Sequence, residues 1–223
     1  MVAVLVVAGL LAGSCSSPSV GLPPSSSGPT VTTVAPPPAS LDDERTAARL
    51  CSAWTDYAVT VNAVAGVPDD RAAHVEVVSA AFLDDAVAAI GASWPSALVA
   101  ERSAVLTDLV GPYSRRAKKA VAALAAVGAS DADLGELRLV WREVVADLVS
   151  GAAFPERLTV PATMSSLVDA AVAEFAAAVT PFAADPTLGD RRRLLDPLQT
   201  PLTEAYLERW CPGVVALDRG VEF

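Results

Sequence analysis

Histidine is almost missing from this chain: His74 is the one imidazole among 223 residues. Histidine is the commonest acid–base group and metal ligand near neutral pH, so a lone copy excludes a multi-histidine metal centre. A Ser/His/Asp triad would need a serine on a marked nucleophile turn, and no GxSxG stretch occurs. Phosphate-cradling loops are missing too, since neither GxxxxGK[ST] nor GxGxxG is present. The three cysteines include no CxxC pair, which argues against thiol-exchange chemistry and a thiolate zinc site. Basic charge is short, with 16 Lys and Arg against 26 Asp and Glu and a net charge of −10. That balance disfavours nucleic acid, whose phosphates demand a basic face, and flat docking on anionic lipid. The expectation is a chain with no metal, no cofactor and no nucleic-acid partner.

Charge of either sign is absent before Asp42. The opening "MVAVLVVAGLLAGS" is apolar but short of the roughly 20 residues that a membrane span requires. It suits the apolar region of a signal peptide, roughly 7 to 15 residues ending in small side chains. Leu11, Ala12, Gly13 and Ser14 stand immediately before Cys15, and this stretch resembles the lipobox of bacterial lipoproteins. The resemblance covers the N-terminal segment alone. It implies a signal peptide over 1–14, lipid on the Cys15 sulfur, and an exported protein anchored to the outer side of the cell membrane. Leader peptides of that kind open with Lys or Arg, whereas the first basic residue in this chain is Arg45, so the coding start is expected upstream of Met1. An ordinary secretory peptide with an incidental cysteine is the plainer alternative, and it also exports the chain.

Residues 16–40, "SSPSVGLPPSSSGPTVTTVAPPPAS", carry no charge and few large apolar groups. Such a composition cannot bury enough surface to offset the entropy of ordering, so 15–40 is expected to be a lipidated end followed by a disordered tether. Coil statistics give it a reach of roughly 25 to 30 Å, and a polyproline conformation roughly 80 Å. Its Ser, Thr and Pro also permit O-glycosylation.

The stretch 41–223 is long enough for one domain with a substantial core. With Cys15 assigned to lipid, Cys51 and Cys211 remain as an even pair, 160 positions apart. Exported proteins are oxidised, so the two are expected to form a disulfide that clamps the first helix to the last. Two buried thiols that never meet are the alternative.

Apolar spacing in 41–223 is helical nearly throughout. From Leu41, the residues Ala47, Leu50, Cys51, Trp54, Tyr57, Ala58, Val61 and Val64 recur at intervals of three and four, with Ser40 as cap and Gly66 as stop. A second helix is expected from Asp69 to Ile90, a third from Trp94-Pro95 to Val110, and a fourth from Tyr113 to Val127. A fifth runs from the Ser130 cap to Gly151, then come an irregular "FPERLTVP", a buried Ala-rich helix over 163–179, and a last helix from Pro201 to Cys211. Strand patterns are nearly absent. The reading is an all-α bundle of about six or seven helices joined by short Gly/Pro turns.

Candidate sites on that scaffold are few. Basic residues cluster at "SRRAKKA", giving Arg115, Arg116, Lys118 and Lys119 as an anion site for a phosphate or acidic glycolipid head group. Arg191, Arg192 and Arg193 form a second cluster, and for both the plainer reading is a solvated helix face. Trp54, Tyr57 and Trp210 flank the cysteine pair and could wall an apolar pocket between terminal helices; core packing over the clamp is the alternative. Tyr57 as a haem ligand lacks a placed partner. The acidic pairs Asp42/Asp43, Asp69/Asp70 and Asp131/Asp133 fall at helix starts, where capping explains them. Asp84/Asp85 and Glu204/Glu208 lie inside helices, and a glycosidase would need two carboxylates facing across a cleft.

Two functions therefore stand side by side. One is an interaction or accessory module displayed from the membrane on a tether, with an envelope protein as partner. The other is a carrier of a small apolar ligand or envelope lipid between helices. An enzyme is the third reading.

Overall fold

Every stop and cap residue in 41–223 is a prediction of where a helix ends, and the computed structural model tests these boundaries one by one. It describes residues 41–185 and 200–214, all within one compact unit, Ala39–Phe223. The expected signal peptide over 1–14, Cys15, the expected tether and Arg191 to Arg193 lie outside the described residues. Among those described there is no strand, and the protein is all-α.

Helix α1 spans Leu41–Gly66 and α2 spans Asp69–Ala92. They are followed by α3 (Gly111–Ala126), α4 (Asp131–Val149), α5 (Ser165–Ala178) and α6 (Pro201–Trp210). Helix α2 is the central one, packed against α1, α3, α4 and α5. Its run from Val75 to Leu83 is buried all round, Glu76 and Ser79 included, as a helix surrounded by others must be.

The punctuation works where its chemistry is complete. Gly128 and Gly151 adopt φ of +92° and +90°, a left-handed geometry that suits glycine. At each, the next residue's N–H reaches back five positions, Ala129 to Leu124 O and Ala152 to Asp147 O, both at 3.0 Å. These bonds satisfy helix-end carbonyls in the Schellman manner. Helix α4 opens on a reciprocal capping box: the Asp133 N–H donates to Ser130 Oγ, and the Ser130 N–H donates to Asp133 Oδ2 at 2.8 Å.

The expected third helix is not continuous. Ser96–Leu98 is a 3₁₀ turn, and Ala104–Leu109 is a wide π-turn closed by the Val110 N–H donating to Val105 O. The widening lets Val105 and Val110 both be fully buried. Upstream, Trp94 Nε1 donates to Leu98 O at 2.9 Å, holding the irregular turn. Gly111 then passes so close that an added Cβ would sit 3.0 Å from Leu106 O.

A second correction concerns α5, which is not buried as a whole. Val168, Ala171 and Phe175 form its buried stripe, while Ala170, Ala173, Ala176, Ala177 and Ala178 are exposed. Alanine is the best helix former and gives up little by facing water, so an Ala-rich run marks a helix without marking its burial.

The apolar side chains gather into two cores. One surrounds Trp141 and Phe175 and draws on α1 to α5. The other surrounds Leu50, Trp54, Tyr57 and Ile90 and draws in Leu207, Cys211 and Val214 from the chain's end. The Cys51 and Cys211 sulfurs lie at disulfide-bonding distance, with Cα atoms 5.3 Å apart. Cys211 directly follows α6, so the bond joins α1 to the end of the last described helix.

Candidate functional site

Helix α3 sorts its own basic cluster. Tyr113, Arg116, Ala117, Ala120, Ala123 and Leu124 recur at helical spacing and are all buried, so Arg116 lies on the inner face. Arg115, Lys118 and Lys119 are exposed. The four residues considered as one anion site are thus divided between the interior and the surface.

Arg116 meets Glu76 of α2. Its Nε and Nη2 donate to the two carboxylate oxygens, the Nη2 bond being 2.9 Å to Oε1, and Nη2 also donates to Thr180 O at 2.9 Å. This two-pronged pairing is the strong geometry for arginine and a carboxylate. Nη1 faces Asp185 Oδ2 at 3.5 Å. The guanidinium also lies over two rings, 5.6 Å from the centre of Phe175 and 5.3 Å from that of Phe182, a cation–π arrangement. Burial raises the Glu76 carboxyl above its ordinary range; the Arg116 hydrogen bond and charge oppose that rise, and Asp185 adds to it.

Beside this pair is a narrow cleft of about 20 Å³, room for about one water molecule, at the seam of the two cores. Val61 and Val64 of α1, Leu83 of α2 and Ala117 of α3 supply apolar wall. Tyr113 and Phe182 bring aromatic rings, 6.2 Å apart between centres, and Glu76, Ser79 and Arg116 bring polar groups. Phe182 belongs to a 3₁₀ turn, Phe182–Ala184, and packs against both cores. A mostly apolar cleft with a few convergent polar groups is the usual form of a small-ligand site, but this one is far below the usual size, about 300 to 1,000 Å³.

The aromatics named from the sequence lie elsewhere. Trp54 and Tyr57 are buried in the second core, edge to face at 6.1 Å, and Tyr57 in turn meets Tyr113 edge to face at 5.9 Å. Trp210 is half-buried against Tyr206 and beneath Arg209. None of the three lines the cleft. In the first core, Trp141 is fully buried and its Nε1 donates to Thr60 Oγ1 at 2.8 Å. Side chains such as these occupy the centres of the cores.

The remaining titratable groups have structural surroundings. His74 is half-buried on α2; burial lowers its imidazole, Asp169 opposes that and Arg71 reinforces it. Burial raises Asp56, with Arg142 pulling the other way. Asp85 pairs with Arg138 at 2.7 Å on the surface. Glu101 is turned to the start of α6: it accepts from the Leu202 N–H at 3.0 Å, the Thr203 N–H at 2.8 Å and the Thr203 hydroxyl at 2.7 Å. Burial tends to raise its carboxyl, but these bonds outweigh that and hold it below the ordinary value. No group of three or more metal-capable side chains, and no helix long and apolar enough to cross a membrane, occurs among the described residues.

Sequence reasoning missed the Glu76–Arg116 pair, although both carry a signal. Glu76 interrupts the apolar run Val75, Val77, Val78, and Arg116 is in helical register with Tyr113, Ala117 and Ala120. A charge on the apolar side of each of two neighbouring helices is the pattern of a buried ion pair. No family model, no curated protein and no solved structure matches this chain.

Proposed function

We propose that the protein is a cell-envelope lipoprotein, held on the outer side of the membrane by lipid on Cys15, whose helical domain is an interaction or accessory module. The observation that carries this reading is the stretch from Leu11 to Cys15, an apolar residue and three small ones placed immediately before a cysteine. The cysteine pair adds support, because a bond between Cys51 and Cys211 persists in an oxidising compartment and not in a reducing one. Large side chains buried at the centres of both cores, Trp141 and Leu50 among them, support the module over a lipid carrier.

The anchor is tested in the bacterial host by globomycin treatment and by Cys15→Ala. Both block maturation at Cys15, and Cys15→Ala moves the chain out of the detergent-soluble lipoprotein fraction. An unlipidated, membrane-bound product that is indifferent to both treatments contradicts the anchor. Native mass spectrometry of the protein from solubilised envelope then tests the module: a co-purifying protein supports it, and a stoichiometric apolar small molecule without any protein favours the carrier.

A further inference from the structure

We infer that the outer face of α3, with Arg115, Lys118 and Lys119, docks on an anionic phospholipid surface and so decides which side of the domain turns to the membrane. This deepens the envelope reading, and its orienting effect rests on the anchor at Cys15.

Helix α3 differs from its neighbours in charge. It holds Arg115, Arg116, Lys118 and Lys119 and no Asp or Glu, whereas each of the other five described α-helices carries at least two acidic residues. Arg116 is paired inside with Glu76 and Asp185. Arg115, Lys118 and Lys119 are exposed and belong to no ion pair among the described residues. Their spacing of three and four sets the charges along one side of the helix. The Arg115 guanidinium lies back near Gly111, which extends the basic stripe over about 12 Å of helix. Beyond Lys119 the exposed residues of α3 are Ala122, Ala125 and Ala126, too short to hold a flat surface away.

Charge and reach together name the occupant. The net charge of −10 repels an anionic membrane from the chain as a whole, but salt screens each charge beyond about 10 Å at 0.1 M, so at contact the nearest side chains decide. Each basic side chain at such a surface strengthens attachment by about fivefold. On α5, packed against α3, Asp169 and Glu174 are exposed, which confines the attractive side to α3. The pull of three charges is weak for a free protein. The tether expected over 16–40, with a coil reach of roughly 25 to 30 Å, keeps the domain beside the membrane, where a second contact is intramolecular and a weak attraction suffices.

Lys118 and Lys119 are the two lysines of the chain, so lysine acetylation reads this face alone. The full chain, purified from its host with the disulfide intact, is reconstituted on vesicles of phosphatidylcholine and on vesicles with an equal share of phosphatidylglycerol, and acetylation is followed by peptide mass spectrometry. Both lysines should react several-fold more slowly on the anionic vesicles. Molar salt, where screening shortens to about 3 Å, should abolish the difference. Arg115→Glu changes the local charge by two, about 25-fold in attachment, and should restore the reactivity seen on phosphatidylcholine; the position is exposed, and thermal unfolding verifies that the variant is folded. Flotation on phosphatidylcholine vesicles reads the anchor separately. A chain that floats there, yet shows no salt-sensitive protection on the anionic vesicles, overturns the inference and leaves the anchor standing. A chain that does not float lacks the anchor, and the same footprint is then required with anionic vesicles in excess; its absence overturns the inference. Protection unchanged in Arg115→Glu, or produced equally by soluble polyglutamate, overturns the assignment to a lipid surface.

Discussion

The core around Trp141 and the core around Trp54 use the same kinds of side chain, yet they are closed by different means. The first is assembled largely from helices that follow one another, α2 through α5, with turns set by Gly128 and Ser130. Its polar device is internal, the Glu76–Arg116 pair. The second brings the chain's last described helix back onto α1, across 160 positions. Its devices are a covalent bond at Cys51–Cys211 and the Glu101 carboxylate on the first N–H groups of α6. Helix α6 is ten residues long with two buried side chains, Thr203 and Leu207. So short a helix is marginal without outside help. Packing alone closes contacts near in sequence; closing distant ones at so small an apolar gain calls for a clamp.

The largest expected effect breaks the first core. Arg116→Met leaves Glu76 buried without its partner, which costs about 3 to 5 kcal/mol in denaturant unfolding. Glu76→Met with Arg116→Met together should recover most of that loss, because an apolar pair of similar volume replaces an ion pair at little cost. A double variant as unstable as Arg116→Met would mean that the bond to Thr180 O, and not the ion pair, holds this region.

Next comes the clamp. Cys51→Ser and Cys211→Ser should each lower stability by about 2 to 5 kcal/mol. The double variant should equal either single one, since both remove one shared bond. Additive losses would show two thiols acting separately. Non-reducing peptide mapping supplies the direct check, with Cys51 and Cys211 expected in one linked fragment.

Glu101→Gln tests the second device of the same core, with a loss of about 1 kcal/mol, the usual scale for a helix cap. The pH dependence has a definite sign. The Glu101 carboxyl is held below its ordinary value when folded, so its contribution is complete above the unfolded carboxylate pKa and fades as pH falls through the lowered value. Comparing wild type and Glu101→Gln by urea unfolding across acidic pH should show the difference shrinking toward the acid end.

Arg138→Ala supplies the small end of the scale. Its pairing with Asp85 is exposed, and such pairs contribute about 0 to 1 kcal/mol. A loss as large as that of the clamp would contradict the ranking of these interactions by burial.

How much of the molecule is legible in its sequence follows the kind of signal. Helix ends marked by glycine at positive φ or by a serine cap can be read, because Gly128, Gly151 and Ser130 act through local backbone chemistry. The pairing of Cys51 with Cys211 follows from counting and from the compartment implied by the N-terminus. The break between Trp94 and Val110 is hidden, since Val105 and Val110 fit an apolar helical pattern and the widening arises from their burial in the second core. Phe182 gives no warning either, because its role comes from rings and a guanidinium on other elements. Arg116 sits among charged neighbours that suggest one surface cluster, while its register with Tyr113 and Ala117 places it inside.

Hydrogen exchange followed by mass spectrometry, on oxidised protein and on protein reduced under native conditions, tests the two-core account most directly. Reduction should strip protection from the amides of α6 and the first half of α1 while α4 and α5, around Trp141 and Phe175, remain protected. Loss of protection in α4 and α5 together with α6, or unchanged protection in α6, would contradict the claim that the second core depends on its clamp and the first does not.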